Sequence, residues 1–300
     1  MADKDKVKIL ARFFKTGKGE YGEGDKFLGI VVPEQRRLAK EFMGSLVTRS
    51  RTSGSLEVRL LATRLRAVLA GVQKLLLSPW HEERLTALLI LVELYKKGDG
   101  KIKKQIFDFY LKNIKHINNW DLVDLSAPNI VGDYLFTLSL SKGSKEVETI
   151  LLKLVRSKNL WSRRVAVLAT HPFIKNQQFV EILKLAEFLL IKPFNPAQGE
   201  QKETHDLMHK AIGWMLREVG KREVRVLENF LNKFASRLPR TTLRYAIEKF
   251  PEPKRQKYLV WGKKQKMPWV YRKAFFVELR INNLFFAPAL FVNVEIIEDI

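Results

Sequence analysis

Three hundred residues, 46% of them hydrophobic, allow one large domain or two ordinary ones around a continuous core. The 54 Lys and Arg against 32 Asp and Glu leave a net charge of +22, spread along the chain rather than gathered in a tail. Such a balance points first to nucleic acid and argues against an ordinary neutral protein partner, while the absence of cysteine excludes disulfides, thiolate metal sites and a cysteine nucleophile. The opening MADKDKVKIL has no apolar core of a signal peptide, and the longest wholly apolar run, Leu284 to Val292, is interrupted by Pro288. No membrane partner and a cytoplasmic location are therefore expected.

Helical periodicity dominates. A first helix is predicted over Lys4 to Lys15, with Val7, Ile9, Leu10, Phe13 and Phe14 as its buried stripe. The loop Gly17 to Gly24 holds a formal G-x-G-x-x-G at Gly17, Gly19 and Gly22, but no strand precedes it and no helix starts at the third glycine. A dinucleotide site is thereby excluded. Pro33 suits the first turn of a helix running to Met43. Residues Gly44 to Gly71 differ in composition, Ser/Thr/Arg-rich up to Ser55 and then LEVRLLATRLRAVLA; this atypical basic insertion reads as a basic arm, an added amphipathic helix or a loosely attached segment, and is expected to be dispensable for the site.

From Val72 onward the chain repeats itself. Helical segments of similar build occupy His81 to Lys97, Asn118 to Leu140, Leu160 to Ile174, Asp206 to Val219 and Arg240 to Phe250, alternating with apolar helices such as Lys101 to Ile114, Lys145 to Val155, Phe179 to Leu190 and Val224 to Phe234. Measured from Glu83, Trp120, Arg163, Lys210 and Thr242, the intervals are 37, 43, 47 and 32 residues, close to the period of HEAT-type helix pairs. Neither helix of such a pair buries its stripe alone, so the expected fold is all-α, a HEAT-like αα-repeat solenoid with a concave basic face. The loop Lys192 to Glu203 would sit at its rim. The repeat domain is expected to span 1–258, leaving 259–300 as an apolar C-terminal tail without repeat pattern.

The second helices of successive repeats carry residues that a plain core helix does not need. Trp120 and Asp124 stand four apart, which puts an indole and a carboxylate on one helix face. Trp161, Arg163 and Arg164 follow in the next repeat, and Trp214 and Arg217 in the one after. For each tryptophan singly, core packing is the commoner explanation; recurrence at repeat spacing favours a shared surface. Guanidinium forks suit phosphates, and indoles offer flat faces to sugars or bases. His205 and His209 form an i, i+4 pair in HDLMH but lack a third ligand, so no metal site is expected. His116 and His171 read as structural.

The segments FLGIVVPEQRRLAKEF, LSPWHEERLTALLILV, NNWDLVDLSAPNIVG, LWSRRVAVLAT and HKAIGWMLRE, in that order, resemble the DNA alkylation repair family of HEAT-like repeat DNA glycosylases. The resemblance covers Phe27 to Phe42 and roughly Val72 to Tyr258, leaving out 44–71 and the chain beyond Tyr258. It implies a monofunctional enzyme that excises cationic N3- or N7-alkylated purines from duplex DNA, without a cofactor and without a base pocket. It places the family's catalytic residues at Trp120, Asp124, Arg164 and Trp214: Asp124 to stabilise the sugar cation, the two indoles to flank the deoxyribose, Arg164 to hold the backbone. Trp161, Arg163 and Arg217 are the expected further DNA contacts. A monomer is expected, nucleoid-associated if the source is prokaryotic. The competing expectation is a catalytically silent HEAT-like scaffold that grips duplex DNA or structured RNA.

Overall fold

The computed structural model describes residues 4–47, 54–191 and 203–264. The tail beyond 264 and most of the loop 192–203 lie outside the described residues. The fold is all-α. In order come α1 (Lys4–Phe13), α2 (Val32–Val47), α3 (Gly54–Leu76), α4 (His81–Lys97) and α5 (Gly100–Lys112). They are followed by α6 (Trp120–Ala127), α7 (Asp133–Lys142), α8 (Ser144–Val155), α9 (Leu160–Leu168) and α10 (His171–Lys175). The last are α11 (Val180–Leu190), α12 (Asp206–Arg222), α13 (Val224–Phe234), α14 (Arg240–Ala246) and α15 (Glu252–Lys264). Several start on polar caps. Asp99 accepts the Ile102 N–H ahead of α5, and Asn159 accepts those of Trp161 and Ser162 ahead of α9. Each such cap satisfies helix-end donors and contributes about 1 kcal/mol.

Two expected helices are broken, both at proline. The stretch Asn118 to Leu140 starts as α6 and resumes as α7, with a wider π turn at Pro128–Gly132 between them. Pro128 has no N–H to give the Asp124 carbonyl four residues back, and its ring would clash there, so the chain widens. Pro172 similarly separates α9 from α10. The stripe expected on α1 is only partly buried: Phe14 is enclosed, whereas Ile9 and Phe13 are 67% and 61% exposed.

One continuous apolar cluster runs from Ala39 to Tyr258. Through it α4, α6, α9, α12 and α14 form a row in which each helix touches the next. The segment expected as an insertion is continuous with this body. Residues 54–76 are a single helix packed on α4, and its Leu65 and Val68 are buried with Val72 and Leu76.

Candidate functional site

The row brings Trp120, Asp124 and Arg164 together. α6 starts on Asn119, wholly buried, whose Oδ1 accepts the Trp120 backbone N–H at 2.8 Å. One turn later Asp124 meets Arg164 of α9 in a forked pair, Nε to Oδ1 at 2.8 Å and Nη2 to Oδ2 at 2.7 Å. The third arm of the guanidinium donates to the Leu207 carbonyl at the start of α12, at 2.5 Å. A single planar side chain thus ties α6, α9 and the start of α12, which an ammonium could not do with the same geometry. Arg164 therefore holds Asp124, where the sequence suggested the DNA backbone. The Asp124 carboxylate keeps 17% exposure against 6% for Arg164. Burial pushes the Asp124 carboxyl above its ordinary range, and the hydrogen bonds and charge of Arg164 oppose this without reversing it.

Trp120 is fixed by aromatic neighbours. Its indole stacks on Phe14 with centroids 5.3 Å apart and takes Phe13 edge-on at 5.7 Å. Tyr21 lies close enough for the indole to act on its hydroxyl. Tyr21 lies in the Gly17 to Gly24 loop, so that loop supplies a ring to this site.

Asp124 borders two open clefts. One, about 520 Å³, has Trp214, His171, Lys96, Lys103 and Lys175 in its walls; the Trp214 and His171 rings lie 6.4 Å apart. The other, about 760 Å³, is more apolar, lined by Trp120, Phe13, Phe14, Val31 and Val32 with Arg36 at its edge. A smaller depression of about 300 Å³ lies beside them, with Arg36, Lys40 and Lys96. Asn129, in the π turn, lines all three. The break at Pro128 thus shapes the surface on which Asp124 opens.

The other expected contacts are placed differently. Trp161 and Arg163 are only 6% and 7% exposed. Trp161 packs edge-on to Tyr21. Arg163 gives Nε to Glu203 at 2.6 Å and Nη1 to the carbonyls of Ser157 and Lys158, closing the helix start rather than facing a ligand. Arg217 is half-buried and paired with Glu248. His205 accepts the Leu207 N–H as the cap of α12, and His209 Nε2 lies 3.0 Å from the Glu203 carbonyl.

A charged cluster beneath Trp120 escaped the sequence reading. His81, the first residue of α4, is 2% exposed and lies between Asp25 and Asp121, at 3.1 and 2.8 Å. Arg84 binds the second oxygen of Asp25 at 2.5 Å. Glu82 accepts the backbone N–H groups of Leu28, Gly29 and Ile30. Gly29 has φ +82°, a conformation that favours glycine and turns these amides inward. Burial would raise the Asp25 pKa, but His81, Arg84 and Asn119 together outweigh it and hold this carboxyl below the ordinary range. The available signal was the acidic pair after His81 in PWHEER, opposite the glycine of KFLGI.

Residues 1–250 match a family described as "DNA alkylation repair enzyme". In fold, the chain is similar to the solved structure of a "Predicted DNA alkylation repair enzyme from Enterococcus faecalis", at TM-score 0.60 and 15% identity over 84% of this chain and 98% of that one. No curated protein sequence matches.

Proposed function

We propose that this chain, which belongs to the DNA alkylation repair enzyme family, is a glycosylase that releases cationic N3- and N7-alkylated purines from duplex DNA as the opening step of base excision repair. The observation that carries the reading is Asp124: a carboxylate anchored by Arg164, still partly exposed, between clefts bordered by Trp120 and Trp214. Alkylation already makes the base a good leaving group. When the C1′–N bond breaks, its electron pair neutralises the purine and positive charge develops on the sugar. A fixed carboxylate beside that sugar favours the transition state over the ground state. Water then bonds to C1′ and loses a proton, for which Asp124, its proton affinity increased by burial, is a suitable acceptor. Trp120 and Trp214 offer flat faces to the deoxyribose, and Arg164 holds the carboxylate in register. Arg36, Lys40, Lys96, Lys103 and Lys175 supply the positive rim for phosphates on the proposed concave face.

A second reading, a DNA-binding scaffold without catalysis, draws on the same Asp124–Arg164 pair, since a neutralised acid also suits a purely structural bridge. The two separate in a single-turnover assay with saturating enzyme and DNA containing N7-methylguanine. Asp124→Asn keeps the size of the side chain and removes its charge. Base release is expected to fall on the order of a hundredfold or more, with binding to undamaged duplex unchanged or tighter. Release at the wild-type rate would remove the catalytic role and leave the scaffold.

A further inference from the structure

Three lines of contact run from Trp120 to His81. The first is direct: His81 Nε2 lies 2.8 Å from Oδ2 of Asp121, the residue after Trp120. The second runs through Asp25, whose Oδ2 lies 3.1 Å from His81 Nδ1 and accepts the Asn119 side-chain N–H at 3.0 Å. Asn119 precedes Trp120 and caps its backbone N–H. The third passes through rings. His81, Phe14 and Phe27 form a triangle with centroids 4.7 to 5.2 Å apart, and Phe14 stacks on the Trp120 indole.

Both imidazole nitrogens face a carboxylate. A neutral imidazole carries one N–H and can donate to only one of them, whereas an imidazolium donates to both. We propose that His81, in its doubly protonated form, is a positioning residue for the excision site: it locks the start of α6, and with it Trp120 and Asp124, against the loop that follows α1. This inference rests on the reading of Trp120 and Asp124 as that site.

The charged groups around His81 are Asp25 from the loop, with Arg84 of α4 on its other oxygen, and Asp121 from α6, with Asp124 one turn beyond. Glu82, beside it on α4, is turned toward the Leu28 to Ile30 amides. Burial works against the charged ring, but Asp121 and Asp25 outweigh it and push the His81 pKa up to about 9. Its stabilising contribution is therefore complete below the ordinary histidine pKa of about 6.5 and is lost as the pH rises through about 9. Loss of the proton leaves one carboxylate without its donor, and the grip on Trp120 opens at Asp121 or at Asp25.

The test places 5-fluorotryptophan in the full chain and follows the Trp120 fluorine resonance, assigned by its loss in Trp120→Phe, from about pH 7 to about pH 10. The resonance is expected to titrate near pH 9 in the wild type and to stay flat in His81→Gln, which keeps a donor but cannot carry charge. Single-turnover base release should fall in the wild type over the same range, and be lowered roughly tenfold to a hundredfold and pH-independent there in His81→Gln. Asp121→Asn, removing one of the two carboxylates, should move the fluorine midpoint to lower pH, and it serves if His81→Gln does not fold. A flat wild-type resonance, or a midpoint unmoved in either variant, overturns the proposal. If the wild type releases no base at all, the excision reading fails, and the fluorine titration still decides the role of His81.

Discussion

Burial and pairing act on the Asp124 carboxyl in opposite directions, and this gives the site a pH signature of its own. Because its pKa is raised in the folded chain, Asp124 takes up a proton at a pH where an ordinary aspartate, near 4, stays ionised. Protonation removes the charge assigned to the transition state. It does not weaken the fold through this group, since a raised folded pKa means that the native state binds the proton more tightly than the unfolded chain. The group beneath it behaves in the complementary way. His81 is fully charged in mild acid, and Asp25, with its lowered pKa, gives up its contribution only as the pH falls through a value below the ordinary one. Base release by the wild type is thus expected to decline on the acid side with a midpoint above about 4, while thermal melts at the same pH show an intact transition. A decline that coincides with unfolding would assign the loss to the fold instead of to Asp124.

At the scale of the element, tight helix contacts set where the side chains emerge. Gly213, one residue before Trp214, faces α14 so closely that an added Cβ would lie 2.5 Å from Tyr245 Cβ and 2.7 Å from the Thr242 carbonyl oxygen. Thr242 in turn donates its hydroxyl to the His209 carbonyl at 3.1 Å, tying α14 to α12. Gly213→Ala must push these helices apart and is expected to cost about 1–3 kcal/mol in denaturant unfolding, with slower base release where the variant remains folded. Wild-type stability would mean that α12 and α14 can separate freely. These contacts also mark how far the sequence could be read. Periodicity located α4 and α13 at the bounds His81–Lys97 and Val224–Phe234, because long apolar stripes with turn residues at both ends leave little choice. It merged α6 with α7, because Pro128 sits inside an otherwise continuous apolar pattern. It assigned no core role to residues 44–71, where Leu65 and Val68 are interspersed with arginines yet are buried under α2 and α4. Trp120, Asp124 and Arg164 were legible as a recurring pattern, and the structure joins them. Their support was not, because Asp25, His81 and Asp121 are separated by 56 and 40 residues and meet only once α4, α6 and the loop after α1 pack together.

At the scale of the whole molecule, the charge of +22 must act through particular side chains if it is to hold DNA against the proposed face. The cations bordering the Asp124 clefts differ in what else they touch. Lys96 pairs with Glu93 at 3.0 Å and Lys103 approaches Asp133 at 3.6 Å, whereas Lys40 and Lys175 stand exposed in two different clefts that share Asn129. A lysine that neutralises one phosphate releases condensed counterions, and each such contact adds roughly −0.9 to the slope of log affinity against log salt. Binding to undamaged duplex is therefore expected to weaken steeply with salt and to depend little on sequence. Lys40→Ala and Lys175→Ala should each reduce the slope by about one and weaken binding to all duplexes alike. Neither lysine is assigned to the reacting sugar, so single-turnover release at saturating enzyme should stay near the wild-type rate. Fluorescence anisotropy across a salt series measures the slope, and the excision assay measures the rate on the same proteins. A slope unchanged in both variants would place the phosphates on another surface, and Asp124 would then lie away from the DNA that it is proposed to act on.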